Sequence, residues 1–92
     1  MDYEALPGGD LVRSGLQDLE QGVESVAALL VAIGAPRLRR NGISVPEIRI
    51  SSPEHRLYEQ LSRSDPDSAH SRYNALLRRL VSFERAVECA VR

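Results

Sequence analysis

PDSAHSRYNALLRRLVSFERAVECAVR, residues 66–92, is the stretch on which the fold turns. Apolar or small residues recur at Ala69, Tyr73, Leu76, Leu80, Phe83, Val87 and Ala90, in steps that alternate four and three. That rhythm is the a/d spacing of a helical seam. Leu77, Val81 and Val91 widen the stripe into a bundle-facing surface. The spacing predicts one amphipathic helix about 40 Å long, at about 1.5 Å per residue. No other segment of the 92-residue chain matches it in length. The seam is therefore expected to need cover from a second chain, in a homodimer or with a protein partner. Tyr73, Leu76, Leu80, Phe83 and Val87 are the residues expected to supply the buried area.

Working outward, Asp65-Pro66-Asp67 launches this helix, and Ser52-Pro53-Glu54 launches the one before it, with a cap, a proline and an acid at the positive end of the dipole. That third helix runs to about Arg63, with Leu57, Tyr58 and Leu61 inward. Asp10 is the expected cap of a first helix over about 10–21, ended by Gly22. Ser25 is the expected cap of a second, Val26 to Ile33, closed by Gly34 and apolar all round, as befits the centre of a bundle. Pro36 opens a short extra helical turn that Asn41-Gly42 stops. Residues 43–50, ISVPEIRI, alternate apolar and polar around a proline. They read as an extended strap across the bundle, or as an edge that pairs with its copy in a dimer. Residues 1–9 read as a flexible arm. The expected architecture is one domain over 1–92, all-α, with four main helices.

Composition fits this reading. Aromatics are limited to Tyr3, Tyr58, Tyr73 and Phe83, so Leu, Val, Ile and Ala must build the core. All twelve basic residues are Arg, a usage that a GC-rich bacterial genome explains. The net charge of −1 argues against a chain wholly devoted to nucleic acid. Charge is unevenly spread, however. Asp2, Glu4, Asp10, Asp18, Glu20 and Glu24 face Arg13 alone in the first third, whereas Arg37, Arg39, Arg40, Arg49, Arg56 and Arg63 dominate the middle. Self-pairing within the fold is the simplest expectation. The single cysteine, Cys89, excludes an intrachain disulfide and reads as a buried, inert thiol. Neither a leader peptide nor a membrane-length apolar run is visible, so a cytoplasmic protein without membrane contact is expected.

Chemistry-bearing patterns are few. Arg37, Arg39 and Arg40 form the densest basic cluster and are expected to make charged contacts with an acidic partner or RNA. A helix-turn-helix alignment would use Gly34 as its turn and the segment from Pro36 as its recognition helix, but it puts Arg40 where an apolar anchor belongs. Six residues separate Arg63 from His70 at a helix junction. Their spacing resembles the Arg-x4–6-His signature of the HEPN ribonucleases. The resemblance implies a histidine acting as general acid and base beside an arginine that steadies phosphate, in a dimer cleft. Arg49 and His55 carry the same pattern. Asp65, Asp67 and His70 come nearest to metal-ligand spacing, yet two of them serve more simply at a helix start, so no metal or cofactor is expected. The leading expectation is a small non-enzymatic interaction or regulatory module that assembles through its last helix. A nucleic-acid-binding, antitoxin-like regulator is the second, and a metal-independent ribonuclease using Arg63 and His70 the third.

Overall fold

The computed structural model describes residues 3–90. A single 3-10 turn, Tyr3–Ala5, is followed by four α-helices: α1 (Gly9–Glu20), α2 (Val26–Arg40), α3 (Pro53–Ser64) and α4 (Ala69–Ala90). The fold is all-α, a small helical bundle whose last helix is the longest. The two sequence-level uncertainties about the strap and the middle helix resolve differently. Residues 43–50 carry no regular secondary structure, as a strap would, while the short turn from Pro36 does not stand apart.

Instead, α2 runs unbroken through Gly34 and Pro36. Gly34 is not a terminator because α4 lies against it: a Cβ built there would meet both Leu80 methyl carbons at 3.0 Å. Proline removes one helical hydrogen bond, a loss of about 3 kcal/mol in an isolated helix. Here the last turn is held by fully buried Leu38 and by side-chain bonds to α4 described below. The continuity of α2 also removes the turn on which a helix-turn-helix alignment depends.

The α1 and α2 ends obey one rule. Gly22 (φ 73°) and Gly42 (φ 87°) adopt the left-handed conformation that glycine takes most cheaply. The amides of Val23 and Ile43 then donate to the Asp18 and Leu38 carbonyls, and those of Gly22 and Gly42 to Leu19 and Arg39. This is the Schellman closure, completed in α2 by burial of both Leu38 and Ile43. At the other end of α2, Ser25 Oγ accepts from the Ala28 amide at 3.0 Å, as its sequence position predicts.

Helix starts were less legible. α1 begins at Gly9 with Gly8 as its N-cap, and Asp10 lies in the first turn. Gly8 takes φ 77° beside α4, where a Cβ would come within 2.9 Å of the Arg79 carbonyl oxygen. Leu6, half-buried, packs on the core. Leu6 and Gly8, within the expected arm, are thus seated on the bundle, while Met1 and Asp2 lie outside the described residues. Ser52 holds the N-cap position of α3 but with φ 50° and no side-chain bond. α4 starts at Ala69 after a turn at 66–68, and spans 22 residues, about 33 Å at 1.5 Å per residue. That length fits within the 40 Å long axis of the molecule.

Core positions follow helical periodicity: Val12, Gly15 and Leu16 from α1, Leu57 and Leu61 from α3, and Ala69, Leu80, Phe83 and Val87 from α4, around an α2 whose middle, from Ala28 to Ala35, is mostly buried. α4 therefore turns its seam onto its own chain. Tyr58 is 39% exposed because Leu57 and Leu61 take the inward positions of α3; its ring meets Tyr73 and His70 edge-on from outside. Cys89 is exposed, not buried, since Val87 two residues earlier occupies the core-facing side of the last turns.

Candidate interaction surface

The last turn of α2 carries Arg37, Arg39 and Arg40 to three different environments. Arg37 reaches α4. Its Nε and Nη2 donate to the two Glu88 carboxylate oxygens at 2.7 and 2.8 Å, and its Nη1 lies 3.5 Å from Glu84 Oε1. Asn41 Nδ2 adds a bond to Glu88 Oε2 at 3.1 Å. Side by side, α2 and α4 run in the same direction, so Gly34, Arg37 and Asn41 climb past Leu80, Glu84 and Glu88 in step. Arg39 turns to the strap and donates to the Pro46 carbonyl at 2.8 Å. Arg40 is exposed, with no carboxylate at ion-pair distance among the described residues.

The fork of Arg37 on Glu88 is the bidentate geometry that makes guanidinium–carboxylate pairs strong and directional. It holds the Glu88 carboxyl down from its usual 4.5 to about 2, with the Asn41 bond assisting. Glu84 behaves oppositely. It is 4% exposed, and burial pushes its carboxyl up despite the attraction of Arg37. The two glutamates thus link stability to pH with opposite signs. Glu88 has a lowered folded value, so its contribution is present above about 4.5 and disappears as pH falls towards about 2. Glu84 has a raised one, so its protonated form favours folding and ionisation works against it as pH rises. Consequently, Glu88→Gln should lower the urea midpoint at neutral pH and flatten the loss of stability on acidification. Glu84→Gln should leave the neutral-pH midpoint unchanged or higher. Urea titrations from pH 2 to pH 7 read both effects; a fall of the neutral midpoint in Glu84→Gln would contradict the assigned burial cost.

Turning both glutamates inward has an outward consequence. Glu84 and Glu88 are the only acids of α4, and its exposed side is left with Arg72, Arg78, Arg79 and Arg85, separated by small Ser71, Ala75 and Ser82. The sequence, nearly balanced in charge over this quarter, conceals that separation. Arg79 approaches Asp10 at 3.5 Å. Arg72, Arg78 and Arg85 have no ion pair among the described residues. Beside the arginines, Leu77 and Val81 are half-buried and face half-buried Ile33 across α2. Two adjoining hollows share Leu77 and Val81. One, about 340 Å³, lies between the helices along Ile33, Pro36 and Arg40; the other, about 460 Å³, runs over Asn74, Arg78 and Arg85.

Of the expected contact residues, Leu80, Phe83 and Val87 are at most 4% exposed and serve the interior of this chain. The bundle closes on them because Gly34 and Gly8 let α2 and the start of α1 approach α4 closely. Tyr73 and Leu76 are half-buried at the α3 side. Leu77, Val81 and Ile33 are the apolar residues that stay at the outer face of the α2–α4 seam. The signal for Leu77 and Val81 was present in the sequence as the flank of the stripe, whereas Ile33 read only as the end of a helix apolar all round.

Arg63 and His70 do not converge. His70 is exposed, bonds Asn74 Nδ2 at 3.2 Å and meets the Tyr58 ring. Arg63 stands five residues beyond Tyr58 on α3, about 140° further round the helix at about 100° per residue. There it lines a hollow with Glu24, Arg56 and Glu59 on the α2 side. Arg49 and His55 pair with Glu47 and Glu59 respectively, each on an exposed surface. Among the described residues, no group of three or more His, Cys, Asp or Glu side chains could hold a metal ion, and no helix is long and apolar enough to cross a membrane. The acidic first third pairs with the basic remainder through Glu24–Arg56 at 3.1 Å and Asp10–Arg79. No family model, curated protein or solved structure matches the chain.

Proposed function

We propose that this chain is a non-enzymatic protein-interaction module. In this reading it receives an acidic, amphipathic helical segment of another protein on the outer face of α2 and α4. One observation carries the reading: half-buried Ile33, Leu77 and Val81 form an apolar floor beside Arg40, Arg78 and Arg85, which have no carboxylate at ion-pair distance among the described residues. An apolar groove with a one-sign rim is the arrangement that accepts a helix by its hydrophobic face and selects it by the charges flanking that face. A nucleic-acid surface needs the arginines but gains nothing from the floor.

The reading is tested with a synthetic peptide carrying Leu at i, i+4 and i+7 between Glu-rich flanks. Binding is followed by methyl and amide chemical shifts. The expected result is a set of shifts centred on Ile33, Leu77 and Val81, weakened by salt and lost in Leu77→Asp and in Arg78→Glu/Arg85→Glu. Circular dichroism should remain helical in those variants, since Arg78 and Arg85 are exposed and Leu77 is only half-buried at the edge of the core. Shifts confined to arginines with a short RNA or DNA duplex, and none with the peptide, would favour the nucleic-acid alternative. Failure of the peptide to perturb the groove overturns the proposal.

A further inference from the structure

The strap has a second surface, separate from the α2–α4 groove. Along residues 46–50 burial alternates: Pro46, Ile48 and Ile50 are half-buried, while Glu47 and Arg49 are exposed. That is the period of an extended strand with one face on the protein. The backbone of this strand is unpaired. Among the described residues, no backbone hydrogen bond is made by the amides or carbonyls of 47–50. Upstream, the carbonyls of Val45 and Pro46 both accept from Arg39 Nη2, at 3.4 and 2.8 Å. Successive residues of a strand present their N–H and C=O groups to opposite edges, so those of Glu47 and Arg49 share one edge and those of Ile48 lie on the other.

We propose that this edge pairs with the same edge of a second copy, antiparallel, about a two-fold axis through Ile48. The register is fixed by the sequence itself. With Ile48 opposite its counterpart, Glu47 lies opposite the partner's Arg49, and Arg49 opposite the partner's Glu47. Both cross-strand pairs then join opposite charges. If the Ile48 pair is the non-hydrogen-bonded kind, each flanking pair exchanges both of its N–H···O=C bonds. Pro46 falls at the next non-hydrogen-bonded position, where its missing N–H loses nothing. A one-residue slip would put Glu47 opposite Ile48 and break the charge match, so the pattern specifies one alignment. The isologous pairing also covers an exposed edge of the kind that single chains otherwise leave open to aggregation. The partner surface is thus a second copy of this chain, and the proposal does not rest on the groove reading.

The side chains of Arg49 and Glu47 are 84% and 78% exposed, so exchanging them leaves the fold intact. Sedimentation equilibrium of the full chain, from low micromolar to millimolar concentration, should show the wild type moving from monomer to twice the monomer mass. Glu47→Arg and Arg49→Glu should each weaken that association by about tenfold or more, because both pairs become repulsive. An equimolar mixture of the two variants should dimerise again, since each strand then meets its opposite charge. The double variant Glu47→Arg/Arg49→Glu should dimerise alone. Amide exchange at Glu47 and Arg49 should slow as concentration rises. A wild type that stays monomeric at millimolar concentration overturns the proposal. So do single variants that associate like wild type, or a mixture no better than its components. Leu77→Asp, which disables the groove, should leave this association unchanged, so the two readings fail separately.

Discussion

Gly15→Ala should destabilise the protein by about 3 kcal/mol, although helix propensity alone favours alanine at this site by about 1 kcal/mol. The sign is decided by distance. A Cβ at residue 15 would lie 2.3 Å from the Ala27 carbonyl oxygen, 2.5 Å from Val31 Cγ2 and 2.8 Å from the Ala27 carbonyl carbon. Two of those atoms are backbone of α2, the helix at the centre of the bundle, so no side-chain rotation relieves the overlap. α1 must move away from α2, and Val12 and Leu16, at 1% and 8% exposure, lose their contacts with it. For a domain of this size, the loss corresponds to a melting temperature about 15 °C lower. The control is Gly22→Ala. That residue also has no side chain, but nothing lies within 4 Å of its Cβ position. Only its positive φ resists substitution, at about 1 kcal/mol. Thermal melts followed by circular dichroism separate the two. Equal effects at Gly15 and Gly22 would show that close approach of α1 to α2 is not what residue 15 provides.

The second large effect is expected at Phe83, and it discriminates between two places where that ring could be buried. If Phe83 belonged to an interface, truncation would weaken assembly, and its apparent cost would vary with protein concentration. Its ring is instead fully enclosed by its own chain. Phe83→Ala should therefore cost about 3–5 kcal/mol, the sum of lost transfer energy and a cavity the bundle cannot collapse into. The shift in urea midpoint should be the same at low and high protein concentration. Leu77→Ala, on the outer flank of the same helix, should cost about 1 kcal/mol or less. A concentration-dependent loss in Phe83→Ala would return that residue to an interface.

Those two positions also mark where the sequence was readable. The four-three recurrence from Ala69 to Val87 identified the core side of α4 correctly, because periodicity reports which residues share a face. What periodicity omits is the identity of the cover. Phe83 and Leu80 look the same in sequence whether α2 or another molecule lies on them. Gly15 could be recognised as permitting close helix contact, but nothing local names Ala27 as the neighbour. Gly22 and Asn41-Gly42 were reliable because Schellman closures are local events. Gly34 and Pro36 misled because their effect depends on residues of α4 that lie more than forty positions later. Charge was read least well. The arginines at 37, 39 and 40 form a cluster in sequence and disperse in space to α4, to the strap and to solvent. The basic outer face of α4 existed in no run of residues; it emerged when Glu84 and Glu88 were drawn inward.

The clasp between α2 and α4 joins positions 51 residues apart, from Arg37 to Glu88. α1 and α2, by contrast, are neighbours along the chain, tied by a hairpin from Asp18 to Val23. Nearby segments meet first because closing a short loop sacrifices less conformational entropy. During synthesis, the first hairpin can mature while the far flank of α2, with Gly34 and Arg37, still faces water. Only once α4 has emerged from the ribosome does that flank find its lid. The nascent polypeptide is consequently most vulnerable to misassociation in the interval between completing α2 and receiving α4.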